Sequence, residues 1–212
     1  WAEARADAGT AVAFSRAISS KNASFGHAVL ARIDACMGLE DACRERAGAA
    51  REMATEVGMA SLRMWADSAT GLLDLGHGRP AGAVSVLRAV AAAADTGQVD
   101  EPGFLWWQAD FAEAALEAGV PALAKRTLEE LTAQQPRTDR LWTTVAIGRI
   151  RGLLDPNHDD EHFESSLAAA IALGAPFERV RTLLCWASAD ASRRPDRARG
   201  HAGAALEVFR SL

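Results

Sequence analysis

The sequence predicts an all-α protein built as a right-handed superhelix of antiparallel helix pairs. Three observations lead there. The chain is rich in alanine and contains no tyrosine, with few of the β-branched and aromatic residues that favour strands. Its apolar residues recur at helical spacing between Gly, Pro and Asp breaks. A pattern of small and large side chains returns after 35 to 41 residues.

Composition narrows the function classes. With 212 residues, 49% hydrophobic and 24% charged, the chain can form a real core and is unlike a disordered segment. A net charge of -5 disfavours a broad basic face for nucleic acid. Cys36, Cys43 and Cys185 make neither a CxxC motif nor a secreted-type framework, so buried thiols in a reducing, cytoplasmic setting are expected. No stretch approaches the roughly 20 apolar residues of a membrane span. The first residues read as the middle of a helix and Leu212 closes on a periodic apolar position. The chain is therefore expected to be a fragment of a longer protein, a single helical-repeat domain over 1–212.

The elements follow in order. Helices are expected within 1–57, including a charged, Ala-rich one from Glu40 to Val57 that Gly58 ends. The first clear pair spans 59–97: Leu62, Trp65, Ala69, Leu72 and Leu73 precede the Gly76-His77-Gly78 turn, and Pro80 opens a helix carrying Val84, Leu87 and Val90. A second pair, 101–135, is expected to start at Asp100, Glu101 and Pro102, with acidic residues at the positive end of the helix dipole. On it Phe104, Trp107, Phe111 and Ala114 form one apolar stripe, and Leu105, Ala109, Ala112 and Leu116 another. Gly119 and Pro121 turn the chain into Leu123, Leu128 and Leu131, and Gln134, Gln135 and Pro136 are expected to end that helix. The third pair, 138–173, breaks at Asp155-Pro156-Asn157, and the fourth, 176–212, at Arg193-Arg194-Pro195.

The second helices of the four pairs share a register. Ala83, Leu87 and Val90 match Ala124, Leu128 and Leu131; Asp159, Phe163 and Ser166 follow, then Ala198, Ala202 and Ala205. The small first position lets two helices approach, and the residue four later plugs the gap between pairs, which is how a helical solenoid builds one core from units too small to fold alone.

This pattern resembles a degenerate tetratricopeptide repeat. The segment from His162 to Leu212 is more specific. Phe163 leads its first helix; Pro176, Phe177, Glu178, Arg179, Arg181, Thr182, Leu183 and Leu184 form its core; Arg193 and Arg194 make a basic turn, and Ala205, Leu206 and Phe209 close it. It resembles the helical segment before the DNA-binding domain of large LuxR-type, ATP-binding, MalT-like bacterial transcriptional regulators. It departs from that pattern at Trp186, Ala187 and Pro195. The resemblance covers about 50 residues closely and the chain from about Met59 loosely. It implies a parent protein with ATP bound in an upstream domain, DNA read by a downstream one, and no cofactor in this chain.

Chemical motifs are weighed against plainer readings. GHGRPAG from Gly76 lacks the Lys of a phosphate-binding loop and reads as a turn. His158, Asp159, Asp160, Glu161 and His162 have metal-like spacing, but Asp159 and Asp160 stand where a helix N-cap is expected. Asp95, Asp100 and Glu101 read as a solvated cluster beside a helix start. Arg193, Arg194, Arg197 and Arg199 are an exposed loop or a contact with another domain. Phe104, Trp106, Trp107, Phe111 and Trp142 face either a ligand groove or the core.

The expected function is that of a non-enzymatic regulatory region. It relays binding of a protein partner or small effector to a DNA-binding domain outside the chain, and homo-oligomerisation is compatible with that role. The alternative is a tetratricopeptide-like interaction scaffold unrelated to transcription, and a helical enzyme domain is a further, weaker one.

Overall fold

Alternating apolar stripes and Gly or Pro turns leave the chain one economical solution, short helices folded back in pairs. The computed structural model describes residues 2–17, 23–97, 101–102, 104–138 and 140–212. Eleven helices occur among them: α1 (Ala2–Ala17), α2 (Ala23–Cys36), α3 (Glu40–Val57), α4 (Ala60–Gly76), α5 (Pro80–Thr96), α6 (Gln108–Glu117), α7 (Pro121–Thr138), α8 (Leu141–Leu154), α9 (Asp159–Ala172), α10 (Pro176–Asp190) and α11 (Pro195–Ser211). They fall into two compact units, Trp1–Asp100 and Glu101–Leu212.

Five helix ends share one turn. Gly38, Gly58, Gly78, Gly119 and Gly174 all have φ between 65° and 75°, a region costly for residues with a Cβ. The next N–H then reaches back five residues: Leu39 to the Asp34 carbonyl, Met59 to Ala54, Arg79 to Asp74, Val120 to Ala115 and Ala175 to Ala170, at 2.8–3.1 Å. This Schellman closure satisfies carbonyls that the helix end leaves open. Pro80, Pro176 and Pro195 occupy N1 or N2 of the helices they open, where a missing N–H costs nothing.

In the first unit α2 packs on α3 and α4 on α5, and α4 lies against both α2 and α3. Asp34, fully buried on α2, holds Arg5 of α1 at 2.6 Å and Arg46 of α3 at 2.9 Å. Arg44 and Arg51 of α3 reach Asp74 and Asp67 of α4 at 2.7 and 2.6 Å. The second unit repeats the plan: α6 pairs with α7, α8 with α9 and α10 with α11. There α8 lies against α6 and α7, and α10 against α8 and α9. Packing is therefore sequential and largely local, a helical-repeat-like arrangement.

The repeat register has a direct steric counterpart. Ala83, Ala124, Asp159 and Ala198 are all buried, as are Val90, Leu131, Ser166 and Ala205. In two of the pairs the intermediate position is an interlock, while Leu128 is half-buried and Ala202 exposed. A Cβ on Gly71 of α4 would lie 2.5 Å from Leu87 of α5, and one on Gly152 of α8 would lie 2.7 Å from the Phe163 ring of α9. Phe163 also stacks on Trp186 of α10, centroids 5.5 Å apart, so one ring joins three helices. Nearby, the Ser166 hydroxyl donates to the Val145 carbonyl of α8 and shares a 2.9 Å hydrogen bond with Thr182 of α10.

Two expected boundaries are corrected. The helix predicted from Asp100, Glu101 and Pro102 begins at Gln108, with Asp100 outside the described residues. Glu101 precedes a proline, which disfavours helical backbone there, and Leu105 and Trp107 are buried from a turn held by Trp107 N–H to the Leu105 carbonyl. The other helix does not stop at Gln134–Pro136 but runs to Thr138. Pro136 interrupts only its last turn, and Gln135 is anchored to the Thr144 hydroxyl of α8 at 3.0 Å.

These contacts give opposite expectations for two glycines. A Cβ on Gly148 would meet the His162 carbonyl oxygen at 2.7 Å, whereas one on Gly203 of α11 meets open space. Gly148→Ala should lower stability by about 1–3 kcal/mol despite its helix propensity. Gly203→Ala should raise it by about 0.5–1 kcal/mol. Urea titrations followed by circular dichroism measure both.

Candidate functional site

The first helices of the second unit carry charges where amphipathic helices normally bury apolar groups. Asp110 and Glu113 of α6, Arg149 of α8, and Glu178 and Arg181 of α10 form one ladder. Arg149, 1% exposed, lies 2.5 Å from Glu113 through Nε and donates from Nη1 to Glu178 at 2.8 Å. Arg181 donates to Asp110 at 3.1 Å and also to Glu113. Burial pulls the two guanidinium pKa values down, but Glu113, with Glu178 at Arg149 and Asp110 at Arg181, more than offsets it and both end above the usual arginine range. Both guanidinium groups thus stay charged at any working pH.

The same surroundings silence a thiol. Burial, followed by the charge of Glu113, pushes Cys185 up, and burial pushes Cys43 up to about 11. Both are protonated at neutral pH and poor nucleophiles. In the second unit, burial and Glu113 also raise the Glu117 carboxyl.

A second ion cluster joins α9, α10 and α11. Arg193 and Arg194 reach Asp159 at 2.6 and 2.5 Å. Arg194 and Arg197 reach Asp190 at 2.6 Å each, and Arg197 also donates to Asp160 at 2.8 Å. Trp186 donates from Nε1 to Asp160 at 3.3 Å and stacks on His201 at 4.2 Å, with the Arg197 guanidinium 5.4 Å from its ring centre. Hydrogen bonds from Arg197 hold the Asp160 carboxyl down at about 2. Burial tends to raise Asp190, but Arg197 and Arg194 bring it below the ordinary range. Burial lowers the His201 imidazole against the opposing pull of Asp190.

The sequence-derived candidates can now be located. Arg193, Arg194 and Arg197 are spent on Asp159, Asp160 and Asp190 within the unit, while Arg199 pairs with exposed Asp196. The cap expected at Asp159 and Asp160 is corrected. His158 is the N-cap and makes no side-chain cap bond; both aspartates lie in the first turn and turn to arginines, a stronger charge-assisted use. His158 Nδ1 lies 3.0 Å from Asp155, so the metal-like run is divided among other partners. Glu101 stands 3.6 Å from Arg140.

Among the aromatic residues, Trp107, Phe111 and Trp142 are buried. Trp106 stacks on Trp142 at 5.6 Å and Trp107 is tilted against Phe111 at 5.8 Å. Phe104 is 39% exposed. The turn before α6 thus reaches α8 through half-buried Trp106, and Phe104 is the most exposed of the five. The ladder escaped sequence reading except for Glu178 and Arg181, which belong to the quoted motif. Its available signal was ionisable residues inside apolar windows, ADFAEAA, VAIGRI and ERVRTLL.

No family model and no curated protein matches the chain.

Two measurements probe the clusters. Arg149→Leu leaves buried Glu178 without its ion-pair partner and Glu113 with Arg181 alone, and should cost about 3–5 kcal/mol, against about 0–1 kcal/mol for Arg199→Ala at its exposed pair. Asp160 has a folded pKa near 2 against an ordinary 3.8. Its contribution is therefore complete above about pH 4 and is lost as pH falls toward 2. Asp160→Asn should lower the thermal midpoint at pH 7 and flatten its decline between pH 4 and 2, read by circular dichroism.

Proposed function

We propose that the chain is a non-enzymatic helical-repeat interaction scaffold, tetratricopeptide-like in plan and right-handed in its superhelix, that binds a protein partner. The observation that supports this best is the repeated joint, in which the first helix of one pair seats on both helices of the pair before it. Such an architecture spends its charges on rigidity and offers extended helix surfaces to partners. The silenced thiols and neutralised arginines fit a scaffold better than a reaction centre. Among the described residues no helix is long and apolar enough to cross a membrane.

A narrower reading rests on the sequence resemblance alone. In the segment His162–Leu212 that resembles LuxR-type regulators, Glu178, Arg181 and Thr182 supply interhelix contacts. On that reading the scaffold relays partner or effector binding to a DNA-binding domain of a parent protein. A parent reading frame with a phosphate-binding loop upstream and a helix-turn-helix downstream is its expected mark; a frame with neither removes it.

The scaffold reading is tested by placing a photo-crosslinking amino acid at exposed Met59 and Phe104, one on each unit, in cells of the source organism. Discrete protein adducts at one or both positions are expected. Irradiation that yields no protein adduct at either overturns the reading.

A further inference from the structure

We propose that His201 is a pH-responsive latch on the joint between α10 and α11: as a neutral ring it seals the joint, and on taking up a proton it loosens it. The role is independent of whether the chain serves as a scaffold.

His201 of α11 lays its ring on Trp186 of α10, centroids 4.2 Å apart and planes 20° from parallel. The side chain is 17% exposed, and its Nε2 is buried with no hydrogen-bond partner. The carboxylate that faces it, Asp190 Oδ2, lies 3.7 Å away, too far for a hydrogen bond. The neutral imidazole thus serves as an aromatic plate that needs no counter-ion.

The charges around it are already matched. Asp159, Asp160 and Asp190 meet Arg193, Arg194 and Arg197, three against three. Those acting on His201 come from each element of the joint: Asp190 from α10, Asp160 from α9, Arg197 from α11 itself and Arg194 from the turn before it. Both Asp190 oxygens are occupied, Oδ1 by Arg194 Nε and Oδ2 by Arg197 Nε, at 2.6 Å each. A proton on His201 therefore sets a fourth cation against three anions. It can bond Asp190 only by displacing a guanidinium, and Arg194 and Arg197 repel it. The anions do not lose their charge in the same range: Arg197 holds Asp160 down at about 2, and Arg197 and Arg194 bring Asp190 below the ordinary carboxylate range.

Burial outweighs the pull of Asp190 and keeps the imidazole below its ordinary 6.5, so the unfolded chain takes up the proton more readily than the folded joint. The joint keeps its full stability above that ordinary value and loses it progressively as pH falls from there through the folded one. His158 has the opposite sign. Exposed and 3.0 Å from Asp155, it is raised by that carboxylate, and acid strengthens the pair.

The test is hydrogen exchange of the whole chain, read by mass spectrometry on fragments of α11 at about pH 7.5 and about pH 5.5, with the intrinsic exchange rate at each pH divided out. His201→Phe keeps a ring against Trp186 and His201→Gln does not, but neither side chain titrates. Between the two pH values, protection of α11 should fall at least about threefold further in the native chain than in either variant. A purely structural role for the ring would speed exchange in His201→Gln at both pH values and leave the fall unchanged. Either variant shown to be folded by circular dichroism decides the matter. An equal fall in the native chain and in a folded variant overturns the latch, as does a native α11 whose protection ignores pH.

Discussion

The interlock of a large second-helix side chain with a glycine of the first helix is the contact on which two of the pairs, α4–α5 and α8–α9, depend. Leu87 over Gly71 and Phe163 over Gly152 bring two helices closer than a Cβ would allow. The same Phe163 then presents its other face to Trp186 of the following pair. At Phe163 pairing and stacking are thus set by one side chain, and at Leu87 the Gly78 turn delivers the second helix in register.

The buried ladder adds something packing alone does not. Hydrophobic contacts tolerate small slides of one helix along another, but five charges on α6, α8 and α10 have low-energy partners in only one alignment. Buried ion pairs are weak sources of net stability because desolvation offsets the attraction. Here the geometric demand is the more valuable part, since three successive first helices must agree before any of the charges is satisfied. The Arg–Asp cluster of α9 to α11 does the same at the half-exposed edge.

Helix positions were legible in the sequence wherever breaks and periodicity agreed. Gly58, Gly119 and Gly174 marked turns because left-handed backbone needs them, and Pro80 and Pro176 marked starts. The start of α6 was hidden because acidic residues before a proline mimic a helix N-terminus, while the burial of Leu105 and Trp107 that pulls this stretch into a turn depends on distant partners. Arg193, Arg194 and Arg197 looked like an exposed basic run for a related reason: Asp159 and Asp160, which neutralise them, lie more than thirty residues away. The ladder was least legible, since a charge in an apolar window carries no mark of its partner.

Sequential packing has a kinetic side. Most contacts in a repeat-like array are local, and such chains fold quickly and can fray from an end pair by pair. The bond between Arg181 and Asp110 departs from that habit, closing a span of 71 residues. Loop closure of that length is paid late, after all three pairs of the second unit are in place. Losing α10 therefore strips Arg149 of Glu178 and Glu113 of Arg181, leaving those two only each other, as well as exposing apolar surface. Fraying of that end therefore breaks buried ion pairs as well as apolar contacts, which couples the last pair of the second unit to the two before it.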